Sequence, residues 1–386
     1  MVAAASRPAR VVIDMAAIGR NTAAIAELVG PALVCAVVKA DAYGHDAIEV
    51  ARAAIEHGAT WLAVAVVDEG LALRSACGDH PILLLSEPSP AAMDDAHGGW
   101  LIPTLYTDEG IDAAERSAQR GTQPWPVQLK VNTGMNRVGA RPDDAVRLAR
   151  RIVASEHLEL TGVWTHLATA DDPTESATDR QLDLYEEVLA AITAAGIDPG
   201  LRHAANSAAT LLHPRARYDL VRPGIALYGV TPALGVDVPI DLEPALSVTA
   251  EVAFTHRVAA GEGISYGLRH VFDHDATVAT VPVGYADGVA RRLGLLNADV
   301  LIGGRRRRMV GAVTMDQLMV DCLDDDVSVG DEVVLLGRQG DELVTAEEWA
   351  GLLGLIPYEV ICGFGPRLPR STLSRQLSSS TAPASR

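Results

Sequence analysis

A lysine stands at the end of an apolar, β-branched run near the start of the chain. Lys39 follows Cys-Ala-Val-Val in the segment LVCAVVKA, a pattern that predicts the end of a buried strand. A buried lysine is costly unless it is paired or loses its proton, and a neutral amine is what Schiff-base chemistry requires. Taken alone, Lys39 fits a salt-bridged structural lysine equally well.

Other polar residues lie at the ends of this run and of later apolar runs in the same way. Tyr43 and His45 follow Lys39, and later runs end in Lys130, Asn132 and Arg137; His166; His203, Asn206 and Ser207; and Arg222. Two pairs, Asn206-Ser207 and Gly224-Ile225, follow the last two runs, where barrel enzymes commonly hold a phosphate on backbone N–H groups and hydroxyls. Ordinary turn and capping residues would give the same local pattern. A ring of such residues at one barrel mouth nevertheless predicts a site.

The elements that position these residues form a regular alternation. Ala-, Glu- and Arg-rich stretches with helical periodicity separate short apolar runs over roughly 200 residues, which predicts an α/β fold with a (β/α)8 TIM-type barrel. The eight runs begin at Leu33, Thr60, Pro81, Leu101, Pro126, Leu158, Leu201 and Asp219. An earlier run, VVID at Val11, lies outside this count.

The sequence pattern changes after about Leu242, where β-rich segments joined by Gly, Asp and Pro turns replace the alternation. We expect a barrel domain over 1–242, whose N-terminal strand pairs with the second domain, and a mainly β domain over 243–370. Residues 371–386 are Ser- and Ala-rich and are expected to form a disordered tail. Within the β domain only TAEEWAGLLG predicts a helix, with Thr345 as its N-cap and Glu348 three residues on.

Charge and composition exclude several classes of protein. The chain of 386 residues carries 32 Lys and Arg against 50 Asp and Glu, a formal net charge of −18, which disfavours nucleic acid and anionic membranes as partners. Four cysteines without paired spacing and the lack of a signal-peptide pattern predict a cytoplasmic protein, and no metal motif is present. The basic run Arg305 to Arg308 is expected to be a solvated strand end or turn.

Ordered motifs across both predicted domains resemble those of one family. VVKADAYGHD around Lys39 is similar to the cofactor-lysine signature of alanine racemases, which depend on pyridoxal 5′-phosphate (PLP). The resemblance extends from about Val11 to Arg370 through KVNTGMNRVG, WTHLATADDP, HAANSAAT, VRPGIALYG, GISYG, VPVGYADG, GAVTMDQLMVD and PRLPR. Asp41 and Asp46 depart from the Asn and Gly that are usual in the lysine motif, and LRHVF after Gly267 also differs.

The resemblance implies catalytic roles. Lys39 matches the lysine that binds PLP as a Schiff base and acts as the base on one face of the substrate. Tyr266, in GISYG, matches the opposing base, which comes from the other subunit of a dimer. Arg222 matches the arginine that faces the pyridine nitrogen, and His166 resembles the histidine that hydrogen-bonds the tyrosine. Inversion at carbon needs two such acid–bases, one on each face.

The resemblance also implies binding residues. Arg137 resembles the arginine that meets the substrate carboxylate, and Lys130 the lysine found carbamylated beside it. Met315 and Tyr285 resemble substrate-access residues supplied by the partner chain. The cofactor-binding positions, besides those above, are Tyr43, Leu85, Asn206, Ser207, Gly224, Ile225 and Tyr358.

The implied function is interconversion of L- and D-alanine in a homodimer with shared sites, supplying D-alanine for peptidoglycan. Alternatives stay open. A racemase for serine or another small amino acid is the nearest alternative. A decarboxylase of the related two-domain PLP group would use a partner cysteine where this chain has Tyr266. A non-catalytic PLP-binding barrel would lack the β domain, and a Schiff-base aldolase would not explain the phosphate and tyrosine motifs.

Overall fold

The computed structural model describes residues 7–172, 174–232 and 235–373. These residues form two compact units. The barrel unit comprises 16–244 and 345–364, and the β unit comprises 7–15, 245–344 and 365–373 within the described ranges. Elements are numbered along the chain, beginning with β1 (Ala9–Ile13) of the β unit.

Eight short parallel strands form the barrel, and each overlaps one of the eight predicted runs. They are β2 (Leu33–Val37), β3 (Ala59–Val64), β4 (Ile82–Leu84), β5 (Thr104–Leu105), β6 (Trp125–Lys130), β7 (Leu158–Trp164), β8 (Leu201–His203) and β9 (Leu220–Val221). The helices are α1 (Met15–Val29), α2 (Lys39–Gly44), α3 (Ala47–Glu56), α4 (Val67–Cys77), α5 (Met93–Gly98), α6 (Asp108–Ala118), α7 (Pro142–Val153), α8 (Ala177–Ala194), α9 (Ser207–Leu212), α10 (Ala346–Leu353) and α11 (Pro357–Cys362).

The barrel consists of two four-stranded sheets. One has the order β4-β3-β2-β9 and the other β5-β6-β7-β8. A single isolated bridge between Leu83 and Ile102 joins β4 to the β5 side. At the other seam the N–H of Asp219 donates to the Arg202 carbonyl, an N···O distance of 3.0 Å. Closure at both seams confirms the predicted α/β barrel, and barrels of this kind commonly carry their sites at the end where the strands' carboxyl ends meet.

The β unit is built on a ten-stranded sheet. Its strand order is β11-β14-β17-β16-β15-β18-β10-β1-β20, with β19 beside β18, and β12 pairs with β13 separately. These strands are β10 (Leu246–Glu251), β11 (Phe254–Val258), β12 (Gly263–Ile264), β13 (His270–Val271), β14 (Ala276–Val281), β15 (Asp299–Ile302), β16 (Arg305–Met309), β17 (Leu318–Asp321), β18 (Glu332–Gln339), β19 (Glu342–Val344) and β20 (Arg370–Thr372). The early VVID run forms β1, which pairs antiparallel with β10 and parallel with β20.

The boundaries differ from the expected ones in two places. Residues 345–364, expected inside the β domain, belong to the barrel unit. The Glu347 carboxylate there accepts from the N–H of Thr231 at 2.9 Å, and α10 buries Trp349. The expected start of the C-terminal tail at residue 371 is too early, because 370–372 form β20, whose backbone pairs with β1. The rest of that tail, 374–386, lies outside the described residues.

The predicted α10 cap is present, since the Thr345 hydroxyl accepts from the N–H of Glu348 at 3.2 Å. The basic run forms β16, and its arginines pair with acidic side chains of the same unit: Arg305 and Arg307 with Asp325, and Arg306 with Asp299 and Glu342. Within the described ranges, no helix is long and apolar enough to cross a membrane, and no group of three His, Cys, Asp or Glu side chains could hold a metal ion.

Candidate active site

A cavity of about 530 Å³ opens at the carboxyl ends of the barrel strands. Most of the residues that the sequence singled out line it. The lining consists of Val37, Lys39, Tyr43, Ala65, Leu85, Ser86, Lys130, Met135, Arg137, Trp164, His166, Leu167, Ala168, Asn206, Ser207, Arg222, Gly224, Ile356 and Tyr358. Most of the predicted strand-end residues therefore meet around one cavity, whereas His45, Asn132 and His203 are not among its lining residues.

The cavity is cationic although the chain as a whole is strongly negative. Lys39, Lys130, Arg137 and Arg222 line it, and none of the described lining residues is acidic. The sequence contains only two lysines, and both are here. Four cations without a lining carboxylate favour an anionic occupant, such as one bearing phosphate or carboxylate groups.

A wider groove of about 1,000 Å³ lies around the first residues of β2 and β8 at the opposite end of the barrel. Its polar side chains satisfy one another. The Tyr218 hydroxyl donates to Glu186 at 3.1 Å, and Arg202 makes two hydrogen bonds to Asp219, each of 2.7 Å. This groove therefore lacks the excess of cations found in the strand-end cavity.

Lys39 follows β2 and opens an unusual backbone segment. The next four residues, Ala40 to Tyr43, have φ between 52° and 57°, the left-handed region that non-glycine residues rarely adopt. Burial and the charge of Arg137 lower the pKa of the Lys39 amine, while the charges of Glu69 and Cys362 oppose this shift. Such an amine is closer to its neutral, nucleophilic form than a solvated lysine.

Arg222 follows β9 and is held by acceptors on neighbouring strands. Its guanidinium donates to His203 Nδ1 at 2.6 Å and to the carbonyls of Thr165 and Ala204 at 2.8 and 3.0 Å. A guanidinium only donates, so His203 must carry its proton on Nε2, which donates to Gln128 Oε1 at 2.9 Å. Burial lowers the pKa of Arg222 to about 10, which leaves it charged at neutral pH.

Trp164, at the end of β7, lies between two cations. The Lys130 Nζ is 4.3 Å from its ring centroid, and the Arg222 Cζ is 4.6 Å from it. Burial and then the charges of nearby cations, Arg222 first, lower the pKa of Lys130 to about 7. The sequence analysis missed Trp164, and its position two residues before His166 at a strand end was the available signal.

His166 is a neutral imidazole. Burial, followed by the charge of Arg222, lowers its pKa well below the usual value. His166 Nδ1 lies 3.5 Å from Arg222 Nη2, which can only donate, so the proton belongs on Nε2. Gln181 fixes this loop, because its amide donates to the His166 carbonyl at 3.0 Å and accepts from the N–H of Ala168 at 2.8 Å.

The ends of β8 and β9 form a neutral cradle. The Ser207 hydroxyl accepts from the N–H groups of Gly224 and Ala226 at 2.8 and 3.3 Å. A Cβ at Gly224 would lie 2.4 Å from the Tyr43 hydroxyl oxygen, so only glycine fits there. Burial raises the pKa values of Tyr43 and Tyr358, which keeps both hydroxyls protonated as donors.

Four other predicted residues do not line the cavity, and a fifth lines it but uses its side chain as a helix cap. Ile225 is fully buried at the start of a 3₁₀ turn and is not among the lining residues. Tyr266, Tyr285 and Met315 belong to the β unit, and 70%, 43% and 53% of their respective surfaces are exposed. Asn206 lines the cavity, but its side chain caps α9 by accepting from the N–H of Ala209 at 3.0 Å.

Two family profiles cover most of the chain. The alanine racemase N-terminal domain matches residues 13–232, and the alanine racemase C-terminal domain matches residues 245–372. An alanine racemase of Symbiobacterium thermophilum is 47% identical over 365 residues, which cover 94% of this chain and 97% of that protein.

Solved structures show the same likeness. The alanine racemase of Streptomyces coelicolor superposes with a TM-score of 0.90 at 39% identity, covering 95% of this chain and 98% of that one. A histidine racemase of Leuconostoc mesenteroides superposes with a TM-score of 0.87 at 30% identity, covering 96% and 99% of the two chains. The architecture is thus shared by racemases named for different amino acids.

Proposed function

The chain belongs to the alanine racemase family, and from this premise we propose that it interconverts L- and D-alanine with PLP as cofactor. The observation that carries the proposal is the cationic strand-end cavity, which contains both lysines of the sequence. The product D-alanine would serve peptidoglycan synthesis.

The residues present fit this cofactor. Lys39 offers an amine with a lowered pKa, and Gly224 lets the Tyr43 hydroxyl lie against the cradle beside Ser207, where a Cβ would clash with it. The hydroxyls of Tyr43 and Tyr358, whose rings are 6.0 Å apart, are protonated donors suited to a phosphate. When bound, PLP supplies a carbonyl that condenses with amines and a conjugated ring that withdraws electrons from the substrate Cα.

Arg222 would face the cofactor's ring nitrogen. Because the guanidinium keeps its protons and donates to His203 on its other side, it offers that nitrogen a hydrogen bond rather than a proton. By withholding a proton, Arg222 would make the cofactor a weaker electron acceptor than a carboxylate partner would, which disfavours transamination as a side reaction.

Two bases would act at the substrate Cα from opposite faces. Lys39 would move a proton on one face, and Tyr266 of a second copy on the other. His166 supports the tyrosine, because its Nε2 carries a proton and can donate to a phenolate oxygen. The large exposed fraction of Tyr266, at 70%, is consistent with a contact that only a homodimer completes.

Substrate binding would use the other side of the cavity. Arg137 would pair with the substrate carboxylate. A carbamate on Lys130 would turn a cation into an anion and hold the Arg137 guanidinium by charge-assisted hydrogen bonds. Tyr285 and Met315 of the second copy would line the substrate's access route, and both are substantially exposed in one chain.

The test is a racemisation assay on the PLP-loaded protein with both enantiomers of alanine, serine and histidine. We expect alanine to be converted fastest in both directions. Lys39→Ala should lose both activity and the borohydride-reducible absorbance of lysine-linked cofactor. Tyr266→Phe should slow exchange of the Cα proton from L-alanine more than from D-alanine. Equal slowing would contradict the two-base assignment, and no conversion of any substrate would refute the proposed function.

A further inference from the structure

A carboxylate outside the cavity lining binds the backbone at the ends of two neighbouring strands. Glu69 Oε1, on α4, accepts from the N–H of Ala40 at 2.6 Å. Glu69 Oε2 accepts from the N–H groups of Ala65 and Val66 at 2.9 and 3.3 Å. One half-buried side chain therefore fixes the residue after Lys39 to the end of β3.

The segment that Glu69 holds is strained. Ala40 begins the four-residue left-handed segment, a conformation that is unfavourable for every residue with a Cβ. Such a conformation persists only where surrounding contacts enforce it. Further contacts include the N–H of Ala42 with the Val38 carbonyl and the N–H of His45 with the Asp41 carbonyl, each at 2.9 Å, and the N–H of Ala47 with the Asp41 carboxylate at 2.9 Å. Glu69 supplies the contact to the residue that directly follows Lys39.

Glu69 also acts on Lys39 through its charge. Arg137 faces the Lys39 amine as a cation, and Lys130 is a second amine beside it whose own pKa is lowered to about 7. His166 is neutral, and Cys362 is the thiol that faces Lys39 from α11. Glu69 is the carboxylate that opposes the downward shift of the Lys39 pKa caused by burial and Arg137. Removing its charge should lower the Lys39 pKa further.

We propose that Glu69 is a positioning residue for Lys39, which holds the left-handed segment so that the amine meets the cofactor, and that its charge tempers the reactivity of that amine. The role rests on the proposed function, since it concerns the lysine that would carry PLP. It is separate from the cavity lining, because Glu69 contacts backbone N–H groups and not the cavity.

The experiment compares Glu69→Gln and Glu69→Asp with Asp68→Asn, a matched control that removes a charge from the exposed neighbour on the same helix. The first measurement is the pH dependence of Lys39 acylation in cofactor-free protein, read by mass spectrometry. It is clean because Lys130 is the only other lysine. We expect a lower midpoint in Glu69→Gln and the wild-type midpoint in Glu69→Asp and Asp68→Asn.

The second measurement is the rate at which added PLP becomes lysine-linked. We expect it to fall about tenfold in both Glu69 variants, because misplacement of a reacting group by about 1 Å can cost on the order of 100-fold and a smaller displacement costs less. Glu69→Gln should therefore have a more reactive amine towards a small acylating reagent and yet accept the cofactor more slowly. A purely structural role would not lower the midpoint.

Two outcomes distinguish failure of the positioning role of Glu69 from failure of the proposed function. If Glu69→Gln matches Asp68→Asn in both midpoint and linkage rate, the positioning role is wrong. If wild-type protein itself never links PLP while its Lys39 midpoint still depends on Glu69, the proposed function fails and the charge effect stands. Glu69→Asp keeps the negative charge on a shorter side chain. Its rate of PLP linkage therefore tests the positioning role even if Glu69→Gln folds poorly.

Discussion

The Lys130 amine is expected to take up carbon dioxide near neutral pH. Its pKa is lowered from 10.5 to about 7 by burial and by neighbouring cations. At pH 7 about half of the amine would be neutral, roughly 1,600 times the fraction at an unshifted pKa of 10.5. Only the neutral amine reacts with carbon dioxide, giving a carbamate and releasing one proton. The product is an anion among the cations Arg222, Arg137 and Lys39, whose charges favour it.

The assay is ¹³C NMR of the protein under ¹³C-labelled carbon dioxide at fixed dissolved concentration. A saturable carbamate signal is expected at pH 7 to 8 and should fade as the pH drops below 7, because protonation removes the reactive amine. The assignment needs few controls, since the sequence has two lysines. Lys39→Ala should keep the signal, and Lys130→Gln should lose it.

Two results would refute this reasoning. No signal at saturating carbon dioxide and pH 8 would show that the cavity does not stabilise the carbamate. An unchanged signal in Lys130→Gln would assign the carbamate to another amine. Loss of the signal in Lys130→Gln together with weaker binding of alanine, and no change in cofactor linkage, would support a role in holding Arg137 for the substrate carboxylate.

Three further predictions concern the dimer, the cradle and the fold. Co-expressed Lys39→Ala and Tyr266→Phe chains should recover about a quarter of wild-type activity per dimer, because half of randomly paired dimers are hybrids with one intact site. Gly224→Ala should weaken PLP binding measured by equilibrium titration, and Tyr43→Phe should partly restore it by removing the oxygen that the new Cβ meets at 2.4 Å. Arg7→Ala should lower the free energy of unfolding by about 3 kcal/mol, since it leaves a fully buried carboxylate without its main partner.

Each prediction has its own control. Hybrids are compared with the two parent proteins mixed after folding, and equal activity in both samples would contradict a shared site. If Tyr43→Phe alone weakens PLP binding as much as the double variant does, the steric explanation for Gly224 is wrong. The carboxylate that Arg7 binds is Asp287, and Arg7 together with the N–H of Gly284 holds its pKa low against the opposing effect of burial. The wild-type protein should therefore be more stable than Arg7→Ala at pH values above the pKa that the Asp287 carboxyl has in the unfolded chain. This difference in the free energy of unfolding should be lost as the pH falls through the lower pKa of Asp287 in the folded protein.

Sequence patterns predicted the barrel because its strands are continuous apolar runs ending in polar residues. The same runs placed Lys39, Arg222 and Ser207 at strand ends, which in a barrel must converge. The return of residues 345–364 to the barrel unit was not predictable in this way. The helix α11, which carries Tyr358, has only six residues and follows α10 after a short turn, so it gives too little periodicity to assign.

The electrostatics of the cavity depend on three-dimensional proximity that no local pattern encodes. Lys130 and Arg222 both lie over the indole ring of Trp164. They do so only because β6, β7 and β9 bring the three residues together at the end of the barrel. Glu69 reaches Ala40 across 29 positions of sequence, and its role depends on the left-handed φ values beside Lys39. Motifs identify the residues that bind and react, whereas supporting contacts of this kind require coordinates.

The division of the barrel into two sheets affects where the barrel is expected to deform first. Lys39 and Arg222 follow strands of one sheet, and Lys130 and His166 end or follow strands of the other. The sheets meet through few backbone hydrogen bonds, one seam being the isolated bridge at Leu83 and Ile102. We therefore expect the seams to yield before the sheets do, which would change the spacing of the lysines and arginines of the cavity while each sheet stays intact. Gentle heating should therefore abolish turnover before strand structure is lost, with the earliest amide exchange at the seams.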